Sequence, residues 1–208
     1  SDLGAFGGCY NFQKNDYDDP VLVSSTDGVG TKLNIAFLTE NHTTIGQCIV
    51  NHCVNDILVL GAKPLFFLDY FATGKLIPSV FEDVITGMTI ACKQNSCSLI
   101  AGETAEMPGF YNDNEYDLSG TIVGAVDKKN LMSSRSAEKG DLLIALPSTG
   151  LHTNGYSLAR KVLLTHFNVN DYIEELSSTL GESLLAIHKS YLKIIEPLLL
   201  DSSLVAMS

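Results

Sequence analysis

Apolar residues in this chain recur at two different periods in turn, and that alternation narrows the fold more than any other feature. Pro20 to Ser25 reads as a strand running into the Asp27-Gly28 turn, and Leu33 to Ala36 reads as a second, short β-prone run. From Thr43 or Thr44, both N-cap candidates, the spacing changes. Ile45, Ile49, Cys53, Ile57 and Leu60 recur at the period of a helix, which Gly61 and Pro64 end. Leu65 to Phe71 is a strand, and Ser79 to about Asn95 is a helix with Val80, Val84, Met88 and Ala91 on one side. Cys97 to Ile100 is a strand entering a turn at Ala101-Gly102-Glu103-Thr104, and Tyr116 to Val126 alternates as a strand. Asp127 to Gly140, the longest run without an apolar pattern, is the expected linker. Beyond it come a strand from Asp141 to Leu146, a glycine-punctuated loop and a helix from Tyr156 to about His166. A last helix from about Leu180 to Leu200 has its final turn disturbed by Pro197. Strands interleaved with helices predict a mixed α/β architecture.

Composition excludes several classes of function. The 208 residues are 45% apolar, enough to bury a core as one large or two modest domains. No apolar run spans a bilayer, and Ser1 to Gly8 lack the pattern of a signal peptide. No membrane partner is therefore expected. The chain lacks an initiating Met and stops abruptly at Met207-Ser208, so a fragment of a longer protein is expected. Its net charge of −11 repels a nucleic-acid backbone, so no nucleic-acid partner is expected. A small phosphorylated ligand remains open, since Mg²⁺ can bridge carboxylates to phosphate oxygens. Cys9, Cys48, Cys53, Cys92 and Cys97 lack zinc-site spacing and read as buried free thiols of a cytoplasmic protein.

Four segments could carry chemistry. In Ser25 to Lys32 a carboxylate, two glycines and a lysine could hold a metal and let backbone amides approach phosphate. The order is wrong for a Walker A loop, and the same residues also read as a plain β-turn. Asp56 lies in a helix that is apolar around most of its circumference, so it needs a partner. A cation would serve, and so would a helix contact or a solvated stripe with His52 and Asn55. Gly102 to Gly109 is another acidic, glycine-flanked stretch, and Asp69 interrupts an apolar strand. Together these acidic positions suggest a shared divalent-metal site, although singly each could simply face water. Finally, Ser148 to Ser157 follows a strand and opens a helix, where amides and hydroxyls suit an anion, or form only a capped connection.

The strings STDGVGTKL, TIGQ, VNDILVLGAKPLFFLDYFATGKL, AGETAEMPGFY, YDLSGTIVGAV and GLHTNGYSLARK, in this order, resemble the phosphoribosylformylglycinamidine cyclo-ligase (aminoimidazole ribonucleotide synthetase) family. The resemblance runs from Gly4 to about Lys161, weakens from His166 to Leu180 and returns at Gly181 to Leu192. The superfamily also includes selenophosphate synthetase and thiamine-monophosphate kinase. The resemblance implies a homodimer whose N-terminal domains (1–133) join their sheets into a β-barrel with helices outside, followed by an incomplete second α/β domain (134–208). It implies ATP and Mg²⁺, with a monovalent cation as a further candidate, and formylglycinamidine ribonucleotide as substrate. Asp27, Asp56 and Glu103 match metal positions. Asp27, Gly28, Gly30, Thr31, Lys32, Asn55, Asp56 and Glu103 match ATP-binding ones. Asp69, His152, Thr153, Asn154, Gly155 and Ser157 fall on the substrate side, with Lys32 and His152 as catalytic candidates.

The implied reaction is ATP-driven cyclisation to aminoimidazole ribonucleotide. Phosphorylating the amide oxygen converts a poor leaving group into a good one, and the amidine nitrogen displaces it. Residues 185–191 depart from the family wording, and the family's chain extends at both ends. Another enzyme of the superfamily, a non-catalytic binding subunit and one domain of a multifunctional enzyme are the alternatives.

Overall fold

The computed structural model describes residues 7–132 and 137–208; the expected domain boundary at 133/134 lies outside them. Its centre is a four-stranded mixed sheet of β1 (Pro20–Gly28), β2 (Lys63–Thr73), β3 (Ser98–Glu106) and β4 (Tyr116–Asp127), in the order β1-β4-β2-β3. β4 pairs antiparallel with both β1 and β2, whereas β2 and β3 are parallel. A parallel pair needs a long crossover, and α3 (Pro78–Gln94) supplies it.

One face of the sheet packs against α3 and against α2 (Ile45–Leu58). Phe67, Phe71, Leu118 and Ile122 join Ile45, Ile49, Ile57, Val84 and Met88 in one buried core. Each such side chain, fully buried, contributes about 1.5–3 kcal/mol. The two helices approach closely because of Gly46 and Gly87. A Cβ on Gly46 would overlap the Val84 carbonyl oxygen, and one on Gly87 would lie 3.1 Å from the Gln47 nitrogen. The other sheet face is only partly covered: Leu22 and Tyr70 are exposed, and Phe66 meets Tyr10 with ring centroids 5.2 Å apart. Among the described residues the sheet is open at β1 and β3, so one chain by itself does not form the expected barrel.

Several expectations need correction. The run Leu33 to Ala36 is not β but the start of α1 (Leu33–Thr39). Leu33, Ala36 and Phe37 pack inward at the i, i+3, i+4 spacing of a helix. Ala101 to Thr104 is not a turn but lies within β3, paired with β2. Asp141 to Leu146 forms no strand, and Leu142, Leu143 and Ile144 are exposed. After α4 (Tyr156–Leu163) comes only a two-stranded ribbon, β5 (Tyr172–Ile173) with β6 (Ser178–Thr179).

The single helix expected from Leu180 to Leu200 is instead α5 (Leu180–Leu184), an irregular segment, and α6 (Leu192–Ile195). α5 begins with a capping box in which the Thr179 hydroxyl accepts from Glu182 N and Glu182 Oε2 accepts from Thr179 N. The break follows because side chains elsewhere bind the intervening backbone. Asn51 Nδ2 donates to His188 O (2.8 Å), Asn55 Nδ2 to Lys189 O (2.8 Å), and Tyr191 N to Asn55 Oδ1 (3.0 Å). These bonds replace the intrahelical ladder.

Candidate functional site

β1 and α2 bring two expected acidic residues together. Val21, Val23, Ser25 and Asp27 alternate toward the helices, and His52 and Asp56, one turn apart on α2, point back at the end of β1. His52 Nε2 lies 2.9 Å from Asp27 Oδ2 and 3.7 Å from Asp56 Oδ1. Asp27 Oδ1 accepts the Gly28 N–H at 2.7 Å, and Asp56 Oδ2 accepts the Ser25 hydroxyl at 2.7 Å. One ligand atom from each of Asp27, His52 and Asp56 lies within 4.8 Å of the others. His52 is buried, while both carboxylates keep contact with solvent.

Glu103 does not join them. It stands on β3, three inter-strand steps or about 14 Å from β1, and β3 alternation turns it away from Gly102, which faces the helices beneath Asp69. The group expected to be Asp27, Asp56 and Glu103 is thus Asp27, Asp56 and His52 within one chain. Asp69 is on the helix-facing side in the same cross-strand row as Asp27, separated from it by Gly120. Burial pushes its carboxyl up to about 6, and its oxygens occupy the space above Gly102. That is why residue 102 is a glycine: the side chain of the neighbouring strand needs its place.

Lys32 is fully buried and does not face the carboxylates. Its Nζ donates to Cys48 Sγ (3.2 Å), His152 O (3.0 Å) and Ala186 O (2.6 Å), so three acceptors meet the three protons of one ammonium. Burial lowers its pKa, and Cys48 works against that. Lys32 therefore clasps the loop at His152 and the segment at Ala186 onto the sheet domain. Gly30, at φ +64°, begins the 3-10 turn Gly30–Lys32 that aims the lysine inward.

The second loop arrives above α2. Thr153 is buried, with its hydroxyl 2.6 Å from His52 Nδ1 and 3.3 Å from His188 Nδ1. His152, at φ +57°, stacks on His188 with centroids 4.1 Å apart, and its Nε2 accepts the Thr149 N–H at 3.1 Å. Burial, then the nearby His152, His52 and Lys32, hold His188 down to about 3. Asn154, Gly155 and Ser157 are exposed at the start of α4, and the Ser157 hydroxyl lies 3.1 Å from that of Thr31. Asn55, an expected nucleotide ligand, instead bonds the 188–191 segment. The contribution of His188 was not legible beforehand, because nothing in its local pattern sets it apart.

The buried cysteines match the thiol reading, whereas Cys9 is exposed. Burial pushes Cys53 up to about 12, and the hydrogen bond with Cys92, then burial, raise Cys97. Among the described residues no helix is long and apolar enough to cross a membrane.

A helix-backed mixed sheet with two carboxylates and a histidine at one strand end, facing a loop that opens a helix, defines an α/β protein with an acidic cluster beside that loop. The chain belongs to the family described as AIR synthase related protein, N-terminal domain, whose model matches residues 9–126. The phosphoribosylformylglycinamidine cyclo-ligase of Syntrophotalea carbinolica is 51% identical over 210 residues, covering 100% of this chain and 60% of that protein. Its counterpart in Thermoanaerobacter pseudethanolicus is 55% identical over 189 residues, covering 90% and 56%. This chain thus spans about 60% of the length of such relatives. Among solved structures, hydrogenase maturation protein HypE in complex with ATP superposes with a TM-score of 0.58 at 20% identity, covering 87% of this chain and 48% of that one. That likeness establishes the fold.

Proposed function

We propose that the chain is the N-terminal part of an ATP-dependent cyclo-ligase that converts formylglycinamidine ribonucleotide to aminoimidazole ribonucleotide, ADP and phosphate. The observation that carries this reading is the Asp27–His52–Asp56 group beneath the His152–Ser157 loop, in a chain about half identical to proteins of that name. That a protein of the same fold, HypE, is solved in complex with ATP supports nucleotide binding.

Asp27 and Asp56 fit Mg²⁺, which takes oxygen ligands, and both keep contact with solvent. When bound there, the ion would supply positive charge against the phosphates of ATP. His52 stands behind the carboxylates as a hydrogen-bond partner rather than as a ligand. Gly28, Gly30 and Thr31 border the same strand end and would meet the nucleotide. Asn154, Gly155 and Ser157 offer amides and a hydroxyl to the ribonucleotide phosphate, and the His152 ring would approach the reacting amide. Lys32 contributes by holding that loop in place, since contact with phosphate would require exchanging all three of its bonds.

The partly exposed sheet face, with Leu22, Phe66, Leu68 and Tyr70, supports a homodimer that closes the two sheets into a barrel. Glu103 lies on that face. Residues 1–133 would be the nucleotide and dimer domain and 134–208 the start of a second one. The four buried free thiols fit the cytoplasm.

The test is turnover by the full-length protein. Release of ADP that requires formylglycinamidine ribonucleotide and yields the aminoimidazole product is expected. ATP turnover with thiamine monophosphate or selenide instead would move the chain to another branch of the superfamily.

A further inference from the structure

A hydrogen-bonded chain links the second loop to the carboxylate pair, and its direction is determined at both ends. Asn55 Oδ1 accepts the Tyr191 N–H, which fixes the amide so that its Nδ2 faces His188 Nε2 at 3.1 Å. An amide nitrogen only donates, so His188 Nε2 accepts and the neutral ring carries its proton on Nδ1. That proton points to Thr153 Oγ1 at 3.3 Å. The threonine has one proton to give, and it goes to His52 Nδ1 at 2.6 Å. His52 is then protonated on Nε2, which faces Asp27 Oδ2 at 2.9 Å. The opposite arrangement would put a bare nitrogen lone pair against two carboxylates. Both ends therefore require the same tautomers.

We infer that His188 is a positioning residue: acting through Thr153 and His52, it sets the orientation of the Asp27 carboxylate and reports to it that the His152 loop is seated. His188 itself touches neither carboxylate. The relay residues Asn55, His188, Thr153 and His52 come from three segments, namely α2, the 185–191 stretch and the 148–155 loop. The relay forms only when all three are docked, so the carboxylates acquire their orientation together with the loop. Partners placed behind ligating groups in this way typically change metal affinity or activity about 10- to 100-fold when removed. The inference rests on the proposed reading of Asp27 and Asp56 as the Mg²⁺–ATP ligands, but its structural half can be tested without it.

The first measurement is the histidine tautomer pattern of the full-length protein by long-range ¹⁵N–¹H NMR. His188 should be the Nδ1–H form and His52 the Nε2–H form. Thr153→Val, which keeps shape but removes the hydroxyl, should leave His52 in the Nε2–H form but shift its Nδ1 resonance toward that of an unbonded ring nitrogen. Thr153→Ser should keep the bonded value. The second measurement is calorimetric binding of ATP with varied Mg²⁺. His188→Phe, which preserves the ring stack on His152, should raise the Mg²⁺ needed for half-saturation by about tenfold or more. A His52 carrying its proton on Nδ1, or a His52 Nδ1 resonance unchanged by Thr153→Val, would overturn the relay. Those tautomers in a protein that does not turn over the ribonucleotide would leave the relay standing and remove the proposed reaction instead.

Discussion

The two parts of the chain share one apolar core but differ in what fixes their backbone. Between Pro20 and Asp127, long elements bury apolar faces against one another, and the core runs through α2, α3 and one side of the sheet. From Ala137 onward the described elements are short, and polar side chains of the first part fix their backbone: Lys32, Asn51 and Asn55 bind residues 152 and 186–191. Packing makes the first region a rigid platform. In the second, Tyr156, Leu180, Leu184, Leu185 and Leu192 extend that core, and directional bonds fix the backbone between these short elements.

That contrast can be broken first at the packed side. Gly46→Ala would drive a methyl group into the backbone of α3, and overpacking of that kind costs about 3 kcal/mol or more. Thermal unfolding should shift down for the whole molecule, both regions together. If hydrogen exchange rose only near residues 186–191, the two-region account would be wrong.

Lys32→Met should act the other way. It leaves the carbonyls of His152 and Ala186 without their donor, a loss of about 2 kcal/mol. Exchange and proteolysis should increase in residues 148–155 and 186–191, while the amides of β2 and β4 stay protected. Asn55→Ala should give a milder version of the same pattern, about 1 kcal/mol, because Asn51 still holds His188 O.

The smallest effect concerns Asp69. Its carboxyl titrates near 6 in the folded chain, above the ordinary 3.8, so the folded state binds the proton more tightly than the unfolded one. Stability attached to that proton is present at low pH and is lost as pH rises from about 4 through 6. Asp69→Asn, which stays neutral, should remove that slope and raise the melting temperature at pH 7. An unchanged pH profile would show that Asp69 is solvated instead.

These same differences decide what the sequence could reveal. The long periodic elements were readable because apolar spacing alone specifies them: Ile45, Ile49, Cys53 and Ile57 mark α2, and Leu65 to Phe71 mark β2. Short pieces were not, since their conformation depends on partners far along the chain. Nothing local says that Asn51 and Asn55 will bind residues 188–191 and break a helix there. The signal existed on the other side, in a polar stripe of Asn51, His52, Asn55 and Asp56 on an otherwise buried helix. Asp27 and Asp56 could be singled out from such anomalies, but their neighbour His52 was read only as part of the stripe. The turn at residues 101–104 was misread because a glycine beside a carboxylate resembles one, whereas Gly102 lies in a strand and makes room for Asp69.

The most direct test of the site is calorimetric titration of the full-length protein with ATP, with and without Mg²⁺, for the wild type and Asp56→Asn. The Asp56 side chain keeps contact with solvent and Asn can still accept from Ser25, so the substitution should leave the melting temperature nearly unchanged. Mg²⁺ should strengthen ATP binding by the wild type, and Asp56→Asn should weaken the Mg²⁺-dependent part by about tenfold, equivalent to about 1.4 kcal/mol. A folded Asp56→Asn variant that binds Mg²⁺ and ATP as tightly as the wild type would contradict it.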